Sequence, residues 1–231
     1  MKKVIAVLLS TIVLLCGCEK MNQLIVTPEE IVLFTEATEQ ISTNTESAIY
    51  SSKDDFYASV DQSGLVTANK VGTTSVILTG GDKSITIPIK VMSKYSLYPN
   101  LDEIIGKTES DVRAKVSSSY TIDDGMWLYK DITQYASVGI TYENGKVKNA
   151  VAFVPTSYTL MLTDALIERY SVAGMQNDYF YFLNHNRDVV ITLIVYTYDY
   201  LAVVYTAYTV LKAPFEMPSA DLDAEFKNLV L

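Results

Sequence analysis

The sequence predicts a two-domain protein, an all-β sandwich followed by an α+β domain. Residues 23–92 contain short apolar runs separated by turn residues roughly every 8 to 12 positions, a spacing typical of small sandwiches. Residues 93–100 are rich in structure-breaking residues and are predicted to be a linker. Residues 101–231 contain segments whose apolar residues recur at helical spacing, followed by segments in which apolar and polar residues alternate as in strands. This combination is typical of an α+β domain.

The N-terminal residues 1–17 have the features of an export signal. Two lysines precede an apolar run, 4–15, of about 12 residues, which is too short to span a bilayer. The run ends in Leu15-Cys16-Gly17-Cys18, which resembles the bacterial lipobox of one aliphatic residue, two small residues and a cysteine. That resemblance implies cleavage before Cys18, acylation of its thiol and a lipidated tether at 18–22. An uncleaved anchor or a plain secretory signal is the alternative.

Acylation would make Cys18 the membrane attachment, because two or more acyl chains anchor a protein stably where one does not. Without its first 17 residues the chain has 16 basic and 27 acidic residues, a net charge of −11. This charge argues against a nucleic-acid partner and against electrostatic attachment to anionic lipid. Both cysteines lie in the lipobox, so the body has none for a disulfide. In lipoproteins of enteric bacteria an Asp after the cysteine favours inner-membrane retention, so Glu19 favours the outer membrane.

The first domain is predicted from strand-like runs that end at turn residues. Gly64 and the Gly80-Gly81-Asp82 segment mark two of the turns, since glycine accepts a positive φ without steric cost. The predicted strands are 24–26, 31–34, 39–43, 58–60, 65–68, 74–79 and 85–91. Seven short strands with this spacing predict a sandwich.

Part of this domain resembles a known family, the bacterial Ig-like domain (group 2). The resemblance lies in Ala58-Ser59-Val60-Asp61, in Gly64-Leu65-Val66-Thr67-Ala68 and in Gly72-Thr73-Thr74. Tyr50-Ser51-Ser52 is similar to its aromatic-Ser-Ser element. The resemblance implies an Ig-like sandwich over 23–92, of the kind found in adhesins and as spacers in bacterial surface proteins. The family has no catalytic residues, so it implies none here.

The second domain is predicted to contain the same order of elements twice. The first set is a helix at 109–117 with strands at 126–129, 137–142 and 147–154, and the second is a helix at 158–170 with strands at 179–183, 189–198 and 201–208. This predicts an internal duplication of helix plus three-stranded antiparallel units, which together form one antiparallel sheet with the helices on one face. The order resembles the tandem-repeat fold of the β-lactamase inhibitor protein family, which implies a sheet face that grips a protein. Ser219 is predicted to cap a closing helix at 220–229.

Tyrosine is concentrated in the second domain, where 15 of the 17 tyrosines lie between residues 95 and 208. Tyrosine supplies a large amphipathic contact area, which binding surfaces favour. Tyr196, Tyr198 and Tyr200 alternate, so we expect them to share one face of a strand and to contact a ligand. The alternative is an exposed sheet face that uses tyrosine for its β-propensity.

No catalytic, metal or cofactor site is predicted. His185 is the single histidine, and it lies in a polar segment typical of a hairpin loop. The Asp54-Asp55 and Asp123-Asp124-Gly125 segments lack the regular spacing of oxygen ligands that a Ca²⁺ loop needs, so we interpret them as turns.

The sequence therefore predicts a non-catalytic, membrane-anchored lipoprotein whose Ig-like domain presents a binding or adhesion domain at the cell envelope. A protein or a glycan is the expected ligand. A carbohydrate-binding component of a glycan-uptake system, or a module similar to a protein inhibitor, is the alternative.

Overall fold

The protein is described by a computed structural model that covers residues 23–116, 119–176 and 178–208. Cys18 and its tether, and the predicted helix at 220–229, lie outside the described residues. The first part of the chain is built from nine strands. They are β1 Val26–Thr27, β2 Ile31–Phe34, β3 Thr38–Gln40, β4 Ser42–Thr43, β5 Ala48–Ser52, β6 Ala58–Val60, β7 Leu65–Ala68, β8 Gly72–Gly80 and β9 Lys83–Met92.

These strands form the predicted sandwich. One sheet has the order β2-β9-β8-β5 and the other β3-β7-β6, with β1 and β4 paired beside them. Alternate residues of β8 and β9 point inward, so Val76 and Leu78 meet Ile87 and Ile89 in a dry core. Burial of this apolar surface stabilises the sandwich without a disulfide.

The second part of the chain is dominated by one antiparallel sheet of eight strands, in the order β10-β11-β12-β13-β17-β16-β15-β14. Its elements are a 3₁₀ turn Asp102–Ile104, α1 Glu109–Lys115, β10 Thr121–Asp123, β11 Met126–Thr133, β12 Ala136–Glu143, β13 Lys146–Pro155, a 3₁₀ turn Thr156–Tyr158, α2 Thr159–Ile167, β14 Ser171–Gln176, β15 Tyr179–Leu183, β16 Val189–Val195 and β17 Tyr200–Ala207. One face packs against α1, α2 and the segment 93–104, and buries the larger of the two cores.

The predicted α+β class, with tandem helix plus three-stranded units, is wrong. Strands account for 53% and helices for 12% of the described residues. The structure does not contain units of a helix and three strands. Four strands follow each helix, because β10 and β14 add strands that the sequence pattern did not reveal, and all eight strands join in a single sheet. The helices are also short, with seven residues in α1 and nine in α2. No described helix is long and apolar enough to cross a membrane.

The strand registers place the two parts of the chain end to end. In the sandwich, Leu24 lies beside Gly80 at the β8–β9 turn, whereas Met92 leaves from the opposite end. That opposite end contacts the sheet near the loop at 184–188, and we call this contact the joint. The β13–α2, β14–β15 and β16–β17 connections all lie at the other end of the sheet, which we call the far end. Along the molecule, the β8–β9 end of the sandwich, the joint and the far end of the sheet therefore follow one another in this order.

Candidate functional site

Tyr196, Tyr198 and Tyr200 lie at the tip of the β16–β17 hairpin, at the far end of the sheet. The prediction that they share one strand face is wrong, because β16 ends at Val195 and β17 begins at Tyr200. The Tyr196 and Thr197 amides both donate hydrogen bonds to the Tyr200 carbonyl, each at 3.0 Å, and close the hairpin between the strands. Tyr196 and Tyr198 therefore project from the turn, and Tyr200 projects from the first position of β17.

The backbone of this turn is fixed to the neighbouring connection. The Thr156 amide donates to the Asp199 carbonyl at 2.9 Å, and the Tyr196 ring lies 5.2 Å from the ring of Phe153, centroid to centroid. The Tyr198 side chain is 94% exposed, and Tyr196 and Tyr200 are also exposed. A held backbone that presents exposed aromatic rings is suited to binding, because few backbone degrees of freedom are lost when a ligand docks.

Other exposed apolar residues lie at the same end of the sheet. Val195 precedes the turn, Met175 and Tyr179 flank the β14–β15 turn, and Leu160 lies in the first turn of α2. We call this set, with Tyr196, Tyr198 and Tyr200, the tyrosine rim. Sequence reasoning missed Leu160, Met175 and Tyr179, because only the strand register brings their distant segments to one end.

Replacing Tyr196, Tyr198 and Tyr200 together by alanine is expected to change the free energy of unfolding by less than about 1 kcal/mol. The reason is that exposed side chains contribute little to the core. Urea denaturation measures the effect, with Tyr205→Ala as the control. Tyr205 is buried, and its truncation is expected to cost about 3 to 5 kcal/mol. A triple variant as unstable as the control would mean that the rim is structural.

The joint is centred on the carboxylate of Glu168, just beyond the end of α2. This side chain is only 7% exposed. Its oxygens accept hydrogen bonds from Thr35 Oγ1 at 2.6 Å, from Ser93 Oγ at 2.8 Å and from the Lys94 amide at 3.1 Å. Thr35 belongs to the sandwich, so one carboxylate joins the sandwich, the segment 93–100 and the sheet domain.

Further hydrogen bonds surround this carboxylate. The Val71 amide donates to the Glu168 carbonyl at 2.7 Å, and Lys70 Nζ donates to the Ile167 carbonyl at 2.7 Å. Arg169 donates to Ser93 Oγ, the Tyr95 carbonyl and Asn100 Oδ1, all in the segment 93–100, and to the Ala165 carbonyl of α2. The segment 93–100, predicted as a linker, is therefore held on the sheet domain through both backbone and side-chain atoms.

His185 forms a second set of contacts at the joint. Its Nε2 atom is 2.8 Å from Asp54 Oδ2, and its ring packs against Phe56 in a tilted arrangement with 4.4 Å between centroids. The Asp54 segment, interpreted from the sequence as a turn, thus contacts the sheet domain. The described residues contain no group of three or more His, Cys, Asp or Glu side chains placed to hold a metal ion.

A buried cluster of tyrosines lies beneath the joint. Tyr98 and Tyr205 share a hydrogen bond of 3.0 Å between their hydroxyls, and Tyr170 donates to Asp102 Oδ1 at 2.9 Å. Burial raises the pKa of Tyr98 to about 12 and also raises the pKa values of Tyr170 and Tyr205. Burial raises the pKa of the Asp102 carboxyl as well. The tyrosines therefore stay neutral at physiological pH and act as hydrogen-bonding parts of the core.

Comparison with known families identifies the first part of the chain. Residues 20–91 match the bacterial Ig-like domain (group 2), which confirms the resemblance drawn from the sequence. No curated protein matches the chain.

Solved structures of surface proteins are also similar to parts of the chain. An intimin mutant of EHEC O157:H7 is 14% identical over 50% of this chain and 78% of its own, with a TM-score of 0.25. Domains 5–6 of the S-layer protein SbsC are 13% identical over 82% of this chain and 85% of their own, with a TM-score of 0.26. BT4661, a SusE-like surface located polysaccharide binding protein from Bacteroides thetaiotaomicron, is 16% identical over 54% of this chain and 29% of its own, with a TM-score of 0.22. Because these scores are low, no function is transferred from them.

Proposed function

Because residues 20–91 carry a bacterial Ig-like domain, we propose that this chain is a non-enzymatic binding protein of the bacterial cell envelope. The Ig-like domain holds the sheet domain away from the membrane, and the tyrosine rim contacts the ligand. The observation that carries the proposal is the position of the rim, at the end of the sheet remote from the sandwich and the N-terminal side of the chain.

The membrane end of this arrangement is the lipid on Cys18. Only four residues separate Cys18 from Gln23, the first described residue of the sandwich. An acylated Cys18 would therefore keep the β8–β9 end of the sandwich close to the membrane surface. The outer membrane is the proposed location, with the rim directed away from it.

A protein is the ligand that the rim favours. Protein interfaces are enriched in tyrosine and methionine, and the rim combines Tyr179, Tyr196, Tyr198 and Tyr200 with Met175. Asp178 and Asp199 lie in the rim turns and are exposed, which favours a partner surface that is neutral or basic. A glycan is the second candidate, because the Tyr198 ring is exposed enough to stack on a sugar.

The anchor is tested by labelling cells that express the full chain with radioactive palmitate. We expect the label to appear on the wild-type protein and to be lost in Cys18→Ala. The Cys16→Ala variant is the matched control, since the proposed cleavage removes that residue, and it should keep the label. Label that persists in Cys18→Ala would reject the anchor.

The rim is tested by the adhesion of cells that display the protein. The triple variant of Tyr196, Tyr198 and Tyr200 to alanine is expected to reduce adhesion to a panel of immobilised host-matrix proteins and glycans at least tenfold. The control variant is Tyr50→Ala, which alters a tyrosine of the sandwich. Binding to any member of the panel that survives in the rim variant would show that the contact lies elsewhere.

A further inference from the structure

The joint contains a cleft beside His185 that both domains line. Its volume is about 350 Å³, within the range of roughly 300 to 1,000 Å³ that is usual for small-molecule sites. Phe56 and Tyr57 line it from the sandwich, and residues of the first 3₁₀ turn, of the stretch after α2 and of the loop at 184–186 line it from the sheet domain. Ligand sites occur preferentially where two domains meet. The cleft is therefore a candidate binding site that is separate from the tyrosine rim.

Part of the lining is aromatic. The ring of His185 lies 4.4 Å from the Phe56 ring and 5.1 Å from the Tyr57 ring, and the two sandwich rings meet edge to face at 5.2 Å, centroid to centroid. His185 is fixed by the contact of its Nε2 atom with Asp54 Oδ2. The Tyr57 ring rests on Gly72, where a Cβ atom would lie 2.3 Å away. The rings are therefore held in place before a ligand arrives, so little side-chain entropy is lost on binding.

The rest of the lining is polar. Tyr170 donates its hydroxyl to Asp102 Oδ1 at 2.9 Å, which leaves Asp102 Oδ2 without a hydrogen bond from any described side chain. Glu103 accepts a hydrogen bond from Asn100 Nδ2 at 3.0 Å. Asn186 is exposed on the loop, and its side-chain amide makes no hydrogen bond with another described residue. The cleft thus combines aromatic rings with carboxylate and amide groups that have spare hydrogen-bonding capacity.

The carboxylates of the lining are balanced by neighbouring cations. Lys115 forms an ion pair with Glu103, and the positive charges of Lys115 and Arg169 act on the Asp102 carboxylate. Arg169 already donates hydrogen bonds to four acceptors of the segment 93–100 and α2. An anionic ligand would therefore meet carboxylates, and a cationic ligand would have to compete with Lys115 and Arg169. A neutral ligand rich in hydroxyl groups meets neither obstacle.

We propose that this cleft binds a neutral sugar, one or two units of a glycan, through its aromatic rings and through the polar groups of Asp102 and Asn186. The apolar face of a sugar ring packs on an aromatic ring, while its hydroxyls donate to the carboxylate and exchange hydrogen bonds with the amide. This site is additional to the tyrosine rim and does not depend on the ligand of the rim. Because both domains line the cleft, a bound sugar also stabilises the joint.

Binding of sugars to the purified full chain, with Cys18→Ser to remove the acyl group, tests the proposal. An array of neutral mono- and disaccharides, with sulfated and amino sugars for comparison, identifies a ligand, and isothermal titration calorimetry measures its Kd. We expect at least one neutral sugar to bind with a Kd below about 1 mM. Asn186→Ala and Phe56→Leu should each weaken this binding at least tenfold. Gln62→Ala, at an exposed polar position in a turn of the sandwich, is the matched control and should leave it unchanged.

The variants also separate the cleft from the rim. Asn186 is exposed, so Asn186→Ala keeps the test valid even where Phe56→Leu fails to fold. The triple rim variant should bind the sugar as the wild type does. Sugar binding that is lost in the rim variant and kept in Asn186→Ala would move the sugar to the rim and overturn the proposal. No binding of a neutral sugar up to about 10 mM, or a preference for sulfated or amino sugars, would overturn it as well.

Discussion

Replacing Glu168 by alanine is expected to release the Ig-like domain from the sheet domain and to lower the free energy of unfolding by about 3 kcal/mol. The substitution removes the acceptor of Thr35 Oγ1, Ser93 Oγ and the Lys94 amide at once. These donors are partly or fully buried, so each one left without a partner costs about 1 kcal/mol or more. The Glu168→Gln variant keeps one acceptor oxygen and should lose about half as much.

Two measurements separate a loosened joint from a simple loss of stability. Urea denaturation followed by Trp127 fluorescence and by far-UV circular dichroism should give two transitions in Glu168→Ala and one in the wild type. Small-angle X-ray scattering should show a larger radius of gyration in the variant. Glu29→Ala, an exposed position in the sandwich, is the control. A single transition and an unchanged radius in Glu168→Ala would show that the domains are held by other contacts.

The sandwich could be predicted from the sequence because its determinants are local. The apolar alternation that predicts a strand lies within that strand, and the glycine that predicts a turn lies within that turn. Gly64, where φ is +84°, is an example of such a turn. The joint could not be predicted in this way. Thr35 and Glu168 are 133 residues apart, and each is an ordinary polar residue in its own segment.

The second domain was mispredicted where its strands depart from simple alternation. The strand β10 has three exposed residues and no apolar period, and β14 contains an irregular register between Val172 and Gly174. A prediction from periodicity therefore finds the long central strands and omits these two strands at the edges of the sheet. The predicted helix at 158–170 was also too long, because α2 ends at Ile167 and the following residues form the joint.

Only part of the tyrosine rim could be predicted from the sequence, because the geometry of the rim depends on how the strands pair. The alternation of Tyr196, Tyr198 and Tyr200 is identical for a strand and for a hairpin tip of this length. Hydrogen bonds to the Tyr200 carbonyl decide between them, and these depend on how β16 and β17 pair. The sequence thus identified the residues of the hairpin tip but not their geometry or their neighbours in space.

The second large effect is expected at Gly72, where replacement by alanine should lower the free energy of unfolding by about 3 kcal/mol or more. Gly72 has a φ of +154°, and a Cβ atom there would lie 2.3 Å from the Tyr57 ring. Tyr57 would have to move, although its ring packs against Phe56 and His185 at the joint. The variant therefore combines backbone strain with the displacement of an aromatic ring from the contact between the domains.

A second glycine gives a reference for backbone strain without a steric clash. Gly81 has a φ of +64°, and no atom lies within 4 Å of the position that a Cβ atom would take there. Gly81→Ala therefore measures backbone strain alone, about 1 kcal/mol. In the double variant Gly72→Ala Tyr57→Ala the ring is gone, so the two effects should be less than additive by at least about 1 kcal/mol. If Gly72→Ala cost no more than Gly81→Ala, the Tyr57 contact would not stabilise the joint. A larger cost in Gly72→Ala, relieved by the second substitution, would instead place Tyr57 beside Glu168 as a determinant of how the Ig-like domain holds the sheet.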